Sequence, residues 1–362
     1  FIVCGPNGPS ALANIFTINE QNVNWLAGAI EHMRGHGLTA MEPTAEAEEA
    51  GVMAPEATPV DALGPGDDCA LVAPSPGFEL AVTSDMLVSG THFLPDTDPR
   101  RLGWKTLAVN LSDLAAMGAT PRWVTLALSL PQVDDAWLAA LSDGFFECAY
   151  IYGVDLIGGD TTRGPLTLCV TAFGEVATGK ALRRSGAHDG DDIWVSGQPG
   201  RAALGLADVL GRLRLKDARR DECIAALEKP LPRVALGCAL RGVASAAIDV
   251  SDGLLADLGH VAAASGLHAV VEDAALPWPA LRAACADETT VRRALLAGGD
   301  DYEVLFCAPR RAHDALRQLS ESLSLPLTRI GTMGAGRAGD VSLIDAQGCE
   351  LPVAHRGYDH FS

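Results

Sequence analysis

The feature that most restricts the fold of this chain is a repeated pattern of short apolar runs and longer segments rich in Ala and Leu. Three of the apolar runs are FELAVTSDM (78–86), VDLIGGDTT (154–162) and SAAIDVSDG (245–253). Short apolar runs that end in turns favour strands, whereas the Ala/Leu-rich segments favour helices. The alternation of the two predicts an α/β (α+β) fold.

Two of the predicted helices have defined ends. The first covers 101–117 and is followed by Gly118, and the second covers 251–264 with Gly266 just beyond it. Glycine is common after the last helical turn because it adopts the left-handed backbone conformation without steric cost.

The length of 362 residues is sufficient for two domains, each with its own core. The polar, turn-rich segment 181–192 (ALRRSGAHDGDD) is the predicted boundary between them. We therefore expect one domain over 52–184 and a second over 185–362. Residues 1–51 are predicted to be an appended segment, joined to the first domain by a Pro/Ala/Glu-rich linker.

The charge balance restricts the possible partners. The chain has 27 lysines and arginines against 46 acidic residues, for a net charge of −19. Such a surface repels nucleic acid, so we expect no nucleic-acid partner. It also repels phosphorylated small molecules, so a site for them has to be built locally from cations and backbone N–H groups.

The nine cysteines are scattered, odd in number and never arranged as CxxC. This usage is typical of a reducing compartment, which predicts a cytoplasmic protein. The apolar runs are shorter than a bilayer requires, so no membrane association is expected.

Aspartates recur where the apolar runs end in turns. Taken singly, an aspartate beside glycine is explained by its preference for turns, where the side chain bonds to nearby backbone. Several of them, each after an apolar run, favour a shared site. They are Asp67, Asp68, Asp85, Asp160, Asp249, Asp252, Asp300 and Asp301.

The first predicted helix carries a polar stripe. Thr106, Asn110 and Asp113 are spaced i, i+4 and i+7 and share one face of a helix that is otherwise largely apolar. A carboxylate on a buried helix is costly unless it meets a donor or a cation. From the spacing alone, a stripe that faces solvent is about equally consistent.

The chemistry of this acidic set favours magnesium. Carboxylates that converge from several strand ends repel one another unless hard cations lie between them, and oxygen ligands suit Mg²⁺ better than Zn²⁺. Mg²⁺ also neutralises the phosphates of ATP. A near match to a phosphate-binding loop at 174–181 lacks the required Ser or Thr, and a GxGxxG match at 334–339 precedes a strand-like run, so neither is accepted.

Eight motifs resemble the thiamine-monophosphate kinase family, within the superfamily of aminoimidazole ribonucleotide synthetase. The resemblance covers about 64–362. The motifs are GPGDDCALV (64–72), AVTSDMLVSGTHF (81–93), WKTLAVNLSDLAAMGA (104–119), LIGGDTTRGPL (156–166), ALRRSGA (181–187), AIDVSDGLLADLGH (247–260), GGDDYEVLF (298–306) and GYDHF (357–361). Residues 1–51 instead resemble the C-terminal tail of Baeyer–Villiger flavin monooxygenases.

The resemblance implies roles for individual residues. For Mg²⁺ it implies Asp68, Thr83, Ser84, Asp85, Asp113, Asp160, Asp249 and Asp252. For ATP it implies Gly159, Asp160, Arg184 and Ser251. For the thiamine phosphate it implies His92, Asp300 and Tyr358, with Asp300 standing where the family motif has glutamate. From the residues alone, His92 is more simply an ordinary surface histidine, and Arg184 is equally consistent with a solvated charge.

The resemblance further implies a two-domain synthetase-like fold, an active site between the domains, and a homodimer formed through an ATP-binding first domain. The implied reaction is the ATP-dependent phosphorylation of thiamine monophosphate to thiamine diphosphate, with direct in-line transfer and no catalytic side chain beyond the metal-binding set. Two alternatives stay open: another ATP-dependent synthetase of the same superfamily, and an inactive dimerisation module.

Overall fold

Two β-sheets, one in each half of the chain, organise the structure. The computed structural model describes residues 68–355 and 357. The segment 1–51 and Tyr358, for which the sequence makes predictions, lie outside these residues.

The first sheet has four strands in the order β1-β4-β2-β3, and only the β2–β3 pair is parallel. Two long helices cover one of its faces. The elements are β1 (Phe78–Val88), α1 (Pro99–Ala116), β2 (Thr120–Leu130), α2 (Asp135–Tyr152), β3 (Asp155–Arg163) and β4 (Thr167–Ala177).

The second sheet has seven strands in the order β11-β10-β7-β9-β5-β8-β6. Its strands are β5 (Asp192–Ser196), β6 (Ala246–Val250), β7 (His268–Glu272), β8 (Glu303–Ala308), β9 (Leu327–Gly334), β10 (Val341–Ile344) and β11 (Glu350–Leu351). Its helices are α3 (Arg201–Val209), α4 (Asp217–Glu228), α5 (Val234–Leu240), α6 (Leu254–Ser265), α7 (Trp278–Ala284), α8 (Glu288–Ala297) and α9 (His313–Ser322). The α/β prediction is therefore confirmed.

Helix α1 is buried over most of its length between the two sheets. It begins two residues before the predicted start, because the Asp98 side chain accepts a hydrogen bond from the N–H of Arg101 and Pro99 occupies the first turn. Gly118, with φ of 65°, follows its end as expected. Thr106 and Asn110 are 2% and 0% exposed, so the solvent-facing alternative for the polar stripe is wrong at these positions.

The two halves of the chain are tied together around α1. The Trp104 Nε1–H donates to the carbonyl of Pro230 at 2.7 Å, and Lys229 Nζ lies 4.2 Å from the Trp104 ring centroid. On α5, Gly237 lies so close to α1 that a Cβ there would be 1.9 Å from the carbonyl oxygen of Ala115. Backbone contact this close requires glycine and fixes the position of α1 against the second sheet.

No helix in the described part of the chain is both long enough and apolar enough to cross a membrane.

Candidate active site between the two sheets

Three carboxylates from three different elements meet in a cleft between the sheets. Asp85 lies on β1, Asp113 on α1 and Asp249 on β6, and all three line the same cavity of about 610 Å³. The sequence predicted this convergence of aspartates. It follows from the position of α1, which presents Asp113 between the two strands.

Neutral donors hold these carboxylates in place. The Thr83 hydroxyl donates a hydrogen bond to Asp113, and the Ser112 hydroxyl donates to Asp249 Oδ2 at 2.7 Å. The Ser112 bond crosses from α1 to β6 and therefore joins the two halves of the chain. Within the first half, Asn110 Oδ1 accepts from the backbone N–H of Asp85 at 3.0 Å, which gives the second residue of the polar stripe a structural role.

The electrostatics of the cluster are unfavourable to three negative charges. Burial, and then the charge of Asp113, raise the pKa of Asp85 to about 6, and burial followed by the same charge raises the pKa of Asp249 to about 8. Burial also raises the pKa of Asp113, against the opposing effects of the Thr83 hydrogen bond and the Arg184 charge. The cluster is thus suited to a ligand that brings positive charge.

Ser251 and Asp252 also line the cleft, in the turn after β6. The backbone N–H groups of Ser251, Asp252 and Gly253 all donate to Asp257 Oδ2 at 3.1 Å. Because these residues form a turn, α6 begins at Leu254, later than the predicted start at residue 251. Sequence reasoning missed Asp257, although its place in the first turn of a helix is a recognisable signal for an acidic cap.

Asp257 is also part of a small group of ligand-type atoms. One atom each from Asp252, Asp257 and His260 lie within 4.8 Å of one another. Burial raises the pKa of Asp257 to about 7. Because three backbone N–H groups donate to one oxygen of Asp257, its side chain mainly stabilises the turn at 251–253.

Two other predicted residues lie on the opposite side of the first sheet. The register aligns Met86 with Cys169, Cys169 with Ala127, and Ala127 with Asp160, so these side chains share one face, and all but the half-buried Cys169 are exposed. Ser84, two positions before Met86, points to the same face. Asp85 points to the inner face, so the sheet separates Asp160 and Ser84 from the carboxylate cluster.

Three further residues with predicted metal or nucleotide roles do not line the cleft. Asp68 and Arg184 are exposed and, like Gly159, are absent from the residues that line the cleft in the described part of the chain. Arg184 nevertheless lies near enough for its charge to act on the pKa of Asp113. Arg184 is therefore not remote from the carboxylate cluster, and its role at the site stays a prediction.

His92 and Asp300 also line the cleft. His92 is half-buried, and its Nδ1 accepts from the N–H of Val88 at 3.0 Å, so a neutral ring carries its proton on Nε2. This placement differs from that of an ordinary surface histidine. Asp300 Oδ1 lies 3.2 Å from Lys105 Nζ and 3.1 Å from the Tyr302 hydroxyl. Sequence reasoning did not single out Lys105.

The comparisons with known proteins agree with this geometry. The AIR synthase related protein N-terminal domain matches residues 66–176, and the corresponding C-terminal domain matches 188–344. The thiamine-monophosphate kinase of Escherichia coli K12 is 47% identical over 301 residues, which cover 83% of this chain and 92% of that protein. The chain belongs to the thiamine-monophosphate kinase family.

Solved structures of the family show the same fold. The thiamine-monophosphate kinase of Stenotrophomonas maltophilia K279a is 49% identical with a TM-score of 0.74, over 82% of this chain and 94% of that chain. AaThiL complexed with AMPPCP and TMP is 29% identical with a TM-score of 0.70, over 82% of this chain and 91% of that chain. The two-domain synthetase-like fold implied by the motifs is therefore confirmed.

The pKa of Asp249 leads to a testable pH dependence. Without divalent cations, the thermal unfolding midpoint should fall as pH rises towards 8, because the folded state holds a proton at Asp249 that the unfolded state, with a pKa near 3.8, has lost. Asp249→Asn keeps an acceptor for Ser112 but cannot ionise. We expect it to raise the midpoint by at least about 3 °C at pH 8 and by little near pH 4.

Differential scanning calorimetry across this pH range measures the effect. Asp314→Asn is the matched control, because Asp314 is 86% exposed on α9 and its replacement should not change the pH dependence. A difference between Asp249→Asn and the unaltered protein that stays constant with pH would contradict the assignment of Asp249 as the titrating group.

Proposed function

We propose that this chain transfers the γ-phosphoryl group of ATP to the phosphate of thiamine monophosphate and so forms thiamine diphosphate. The observation that carries the proposal is the meeting of Asp85, Asp113 and Asp249 in one cleft. The family supports it: the E. coli relative is a thiamine-monophosphate kinase, and AaThiL is complexed with AMPPCP and TMP.

The donor set of the cleft fits Mg²⁺. Its acidic members offer carboxylate oxygens, with hydroxyls close by. Burial and the charge of Asp113 raise the pKa of Asp85 and of Asp249, so a bound cation would stabilise their ionised forms. The residues that would hold Mg²⁺ in the cleft are Asp85, Asp113, Asp249 and Asp252 with Thr83. The family motifs add Asp68, Ser84 and Asp160, which lie outside the cleft, the last two on the other face of the first sheet. Bound Mg²⁺ would offset the negative charge of the nucleotide phosphates.

The side chains of the cleft favour direct transfer. The acceptor phosphate is already anionic at neutral pH, so the chain does not have to supply a strong general base. His92 uses Nδ1 to accept from the N–H of Val88, so this atom does not activate a serine or cysteine. The work of the chain is to position donor and acceptor in line, with Arg184 and the turn at Ser251 near the nucleotide.

One side of the cleft would bind ATP and the other would bind thiamine monophosphate. Gly159, Asp160, Arg184 and Ser251 form the nucleotide side, together with the carboxylates. His92, Asp300 and Tyr358 form the acceptor side. Asp160 is exposed on the outer face of the first sheet, across the sheet from the carboxylate cluster, so its nucleotide role rests on the family motif.

The same outer face supports a homodimer. Leu80, Val82 and Met86 of β1 are 37%, 58% and 55% exposed and lie in one row on this face, in which Ser84 is the polar member. On a chain with a net charge of −19, this apolar face is suited to contact with a second copy of the chain, because a C2 dimer packs the same face of both subunits together.

We propose that the boundary between the domains lies at 184/185, in the segment that connects β4 to β5. We further place the working enzyme in the cytoplasm, because the described cysteines are all free, as a reducing compartment keeps them.

An ATP-dependent conversion assay tests the function. The protein with Mg²⁺ and ATP should convert thiamine monophosphate to thiamine diphosphate and leave free thiamine unchanged, because thiamine lacks the acceptor phosphate. Asp113→Asn should lower turnover about 100-fold or more and shift the magnesium titration to higher concentration, because Asp113 sits between the other two carboxylates. Phosphorylation of another acceptor in preference to thiamine monophosphate would contradict the proposal.

The stereochemistry of transfer tests the in-line step. ATP with a chiral γ-phosphorus should give thiamine diphosphate of inverted configuration, as one displacement requires. The configuration is determined by ³¹P NMR after conversion to a chiral ester. Retention, or a phosphoenzyme formed from ATP alone at the rate of turnover, would replace direct transfer by a double displacement.

A single charge tests the dimer. Val82→Asp should convert a dimeric protein to monomers, because it buries a carboxylate against its own copy. Multi-angle light scattering measures the mass. Val133→Asp, at a residue that is 47% exposed in the β2–α2 loop, should leave the mass unchanged. A monomeric mass for the unaltered protein would reject the dimer.

A further inference from the structure

Lys105 is a buried cation at the acceptor end of the cleft. It lies on α1, eight residues before Asp113, and therefore about two helical turns from the carboxylate cluster. Its side chain is only 4% exposed. A lysine is rarely buried to this degree unless its charge is paired, because desolvation of the ammonium group is costly.

The two contacts of Lys105 join the two halves of the chain. Nζ lies 3.2 Å from Asp300 Oδ1, which belongs to the loop before β8 in the second half. Nζ also donates to the backbone carbonyl of His92 at 3.4 Å, in the loop between β1 and α1 of the first half. One ammonium group thus holds both loops that carry the proposed acceptor contacts.

The contacts of Asp300 leave one of its oxygens for a ligand. Lys105 and the Tyr302 hydroxyl both bind Oδ1, whereas no hydrogen bond to Oδ2 is found among the described residues. The carboxylate is 31% exposed and lines the cleft. The acceptor side therefore presents a single, oriented carboxylate oxygen.

The backbone around Asp300 is held in an unusual conformation. Asp300 and Tyr302 have φ values of 66° and 51°, in the left-handed region that side chains disfavour. Their N–H groups donate to the carbonyls of Ser251 and Val250, each at 2.8 Å. A conformation of this cost persists where surrounding contacts determine it, and the bond to Lys105 is the side-chain contact that reaches it from α1.

We propose that Lys105 is a positioning residue for the acceptor: it fixes Asp300 so that Oδ2 faces the cationic thiazolium end of thiamine monophosphate, and it holds His92 at the matching distance. The proposal rests on the function proposed above. Lys105 does not touch substrate, since its side chain is enclosed and its ammonium group is engaged by protein oxygens.

The test separates the acceptor from the nucleotide. Lys105→Met keeps the length and burial of the side chain without its charge. We expect it to raise the KM for thiamine monophosphate about tenfold or more, with less than a twofold change in the KM for ATP. Titration calorimetry with thiamine monophosphate should show the same loss of affinity. Lys105→Arg, which keeps the charge, should recover part of it.

A double-mutant cycle identifies Asp300 as the group through which Lys105 acts. In an Asp300→Asn background, Lys105→Met should raise the KM for thiamine monophosphate by less than about twofold, because the carboxylate that it orients is gone. A merely structural lysine would give the same factor in both backgrounds. That equal factor, or an equal rise in both KM values, would overturn the proposal.

Arg101→Met is the matched control. Arg101 lies one turn earlier on α1 and also pairs across the two halves, with Glu228 at 2.6 Å, but it lies outside the cleft. This variant should leave both KM values unchanged, and its unfolding midpoint shows what loss of such a pair does to stability alone.

The outcomes distinguish this proposal from the proposed function. If the unaltered protein binds and phosphorylates thiamine monophosphate while Lys105→Met does so with an unchanged KM, the role of Lys105 is wrong and the function stands. If the unaltered protein neither binds nor phosphorylates thiamine monophosphate, both are wrong.

Discussion

Mutual repulsion among buried carboxylates is the constraint on which the rest of this structure depends. Asp85, Asp113 and Asp249 come from two halves of the chain. Burial raises the pKa of each, and the charge of Asp113 raises the pKa of Asp85 and Asp249 further. A fold that brings them together has to recover this free energy elsewhere. It does so by burying α1 between the sheets, where the apolar side chains of the helix pack on both sides and its Ser112 hydroxyl donates to the Asp249 carboxylate.

The charges of the cleft are arranged by position along α1. Asp113 lies at one end, within the carboxylate cluster, and Lys105 lies about two turns away, beneath Asp300. One helix thereby sets the separation between the end suited to cations and phosphates and the end with an oriented carboxylate. A helix fixes this separation more precisely than a loop does, because its rise per residue is constant.

The sequence predicted the parts of the site that follow from local pattern. Aspartates after apolar runs, and the i, i+4, i+7 stripe on α1, identified Asp85, Asp113 and Asp249, and the motifs identified the family. The face of the sheet on which a side chain lies was harder to predict. Asp160 follows an apolar run just as Asp249 does, yet the register of β3 turns it to the outer face of the sheet. Lys105 was missed because a lysine in an apolar helix gives no signal until its distant partner, Asp300, is known. The metal and substrate roles of these residues stay predictions.

The contact between Gly237 and Ala115 has a consequence for how such chains evolve. Because the two helices meet backbone to backbone, any side chain larger than hydrogen at residue 237 would strike the carbonyl of residue 115. The halves of the molecule are consequently not interchangeable modules: a half taken from a distant relative would bring a partner surface shaped to a different helix. Inheritance of the two halves as one unit is the expected result, and gene fusion or recombination is better tolerated ahead of the first sheet than between the two.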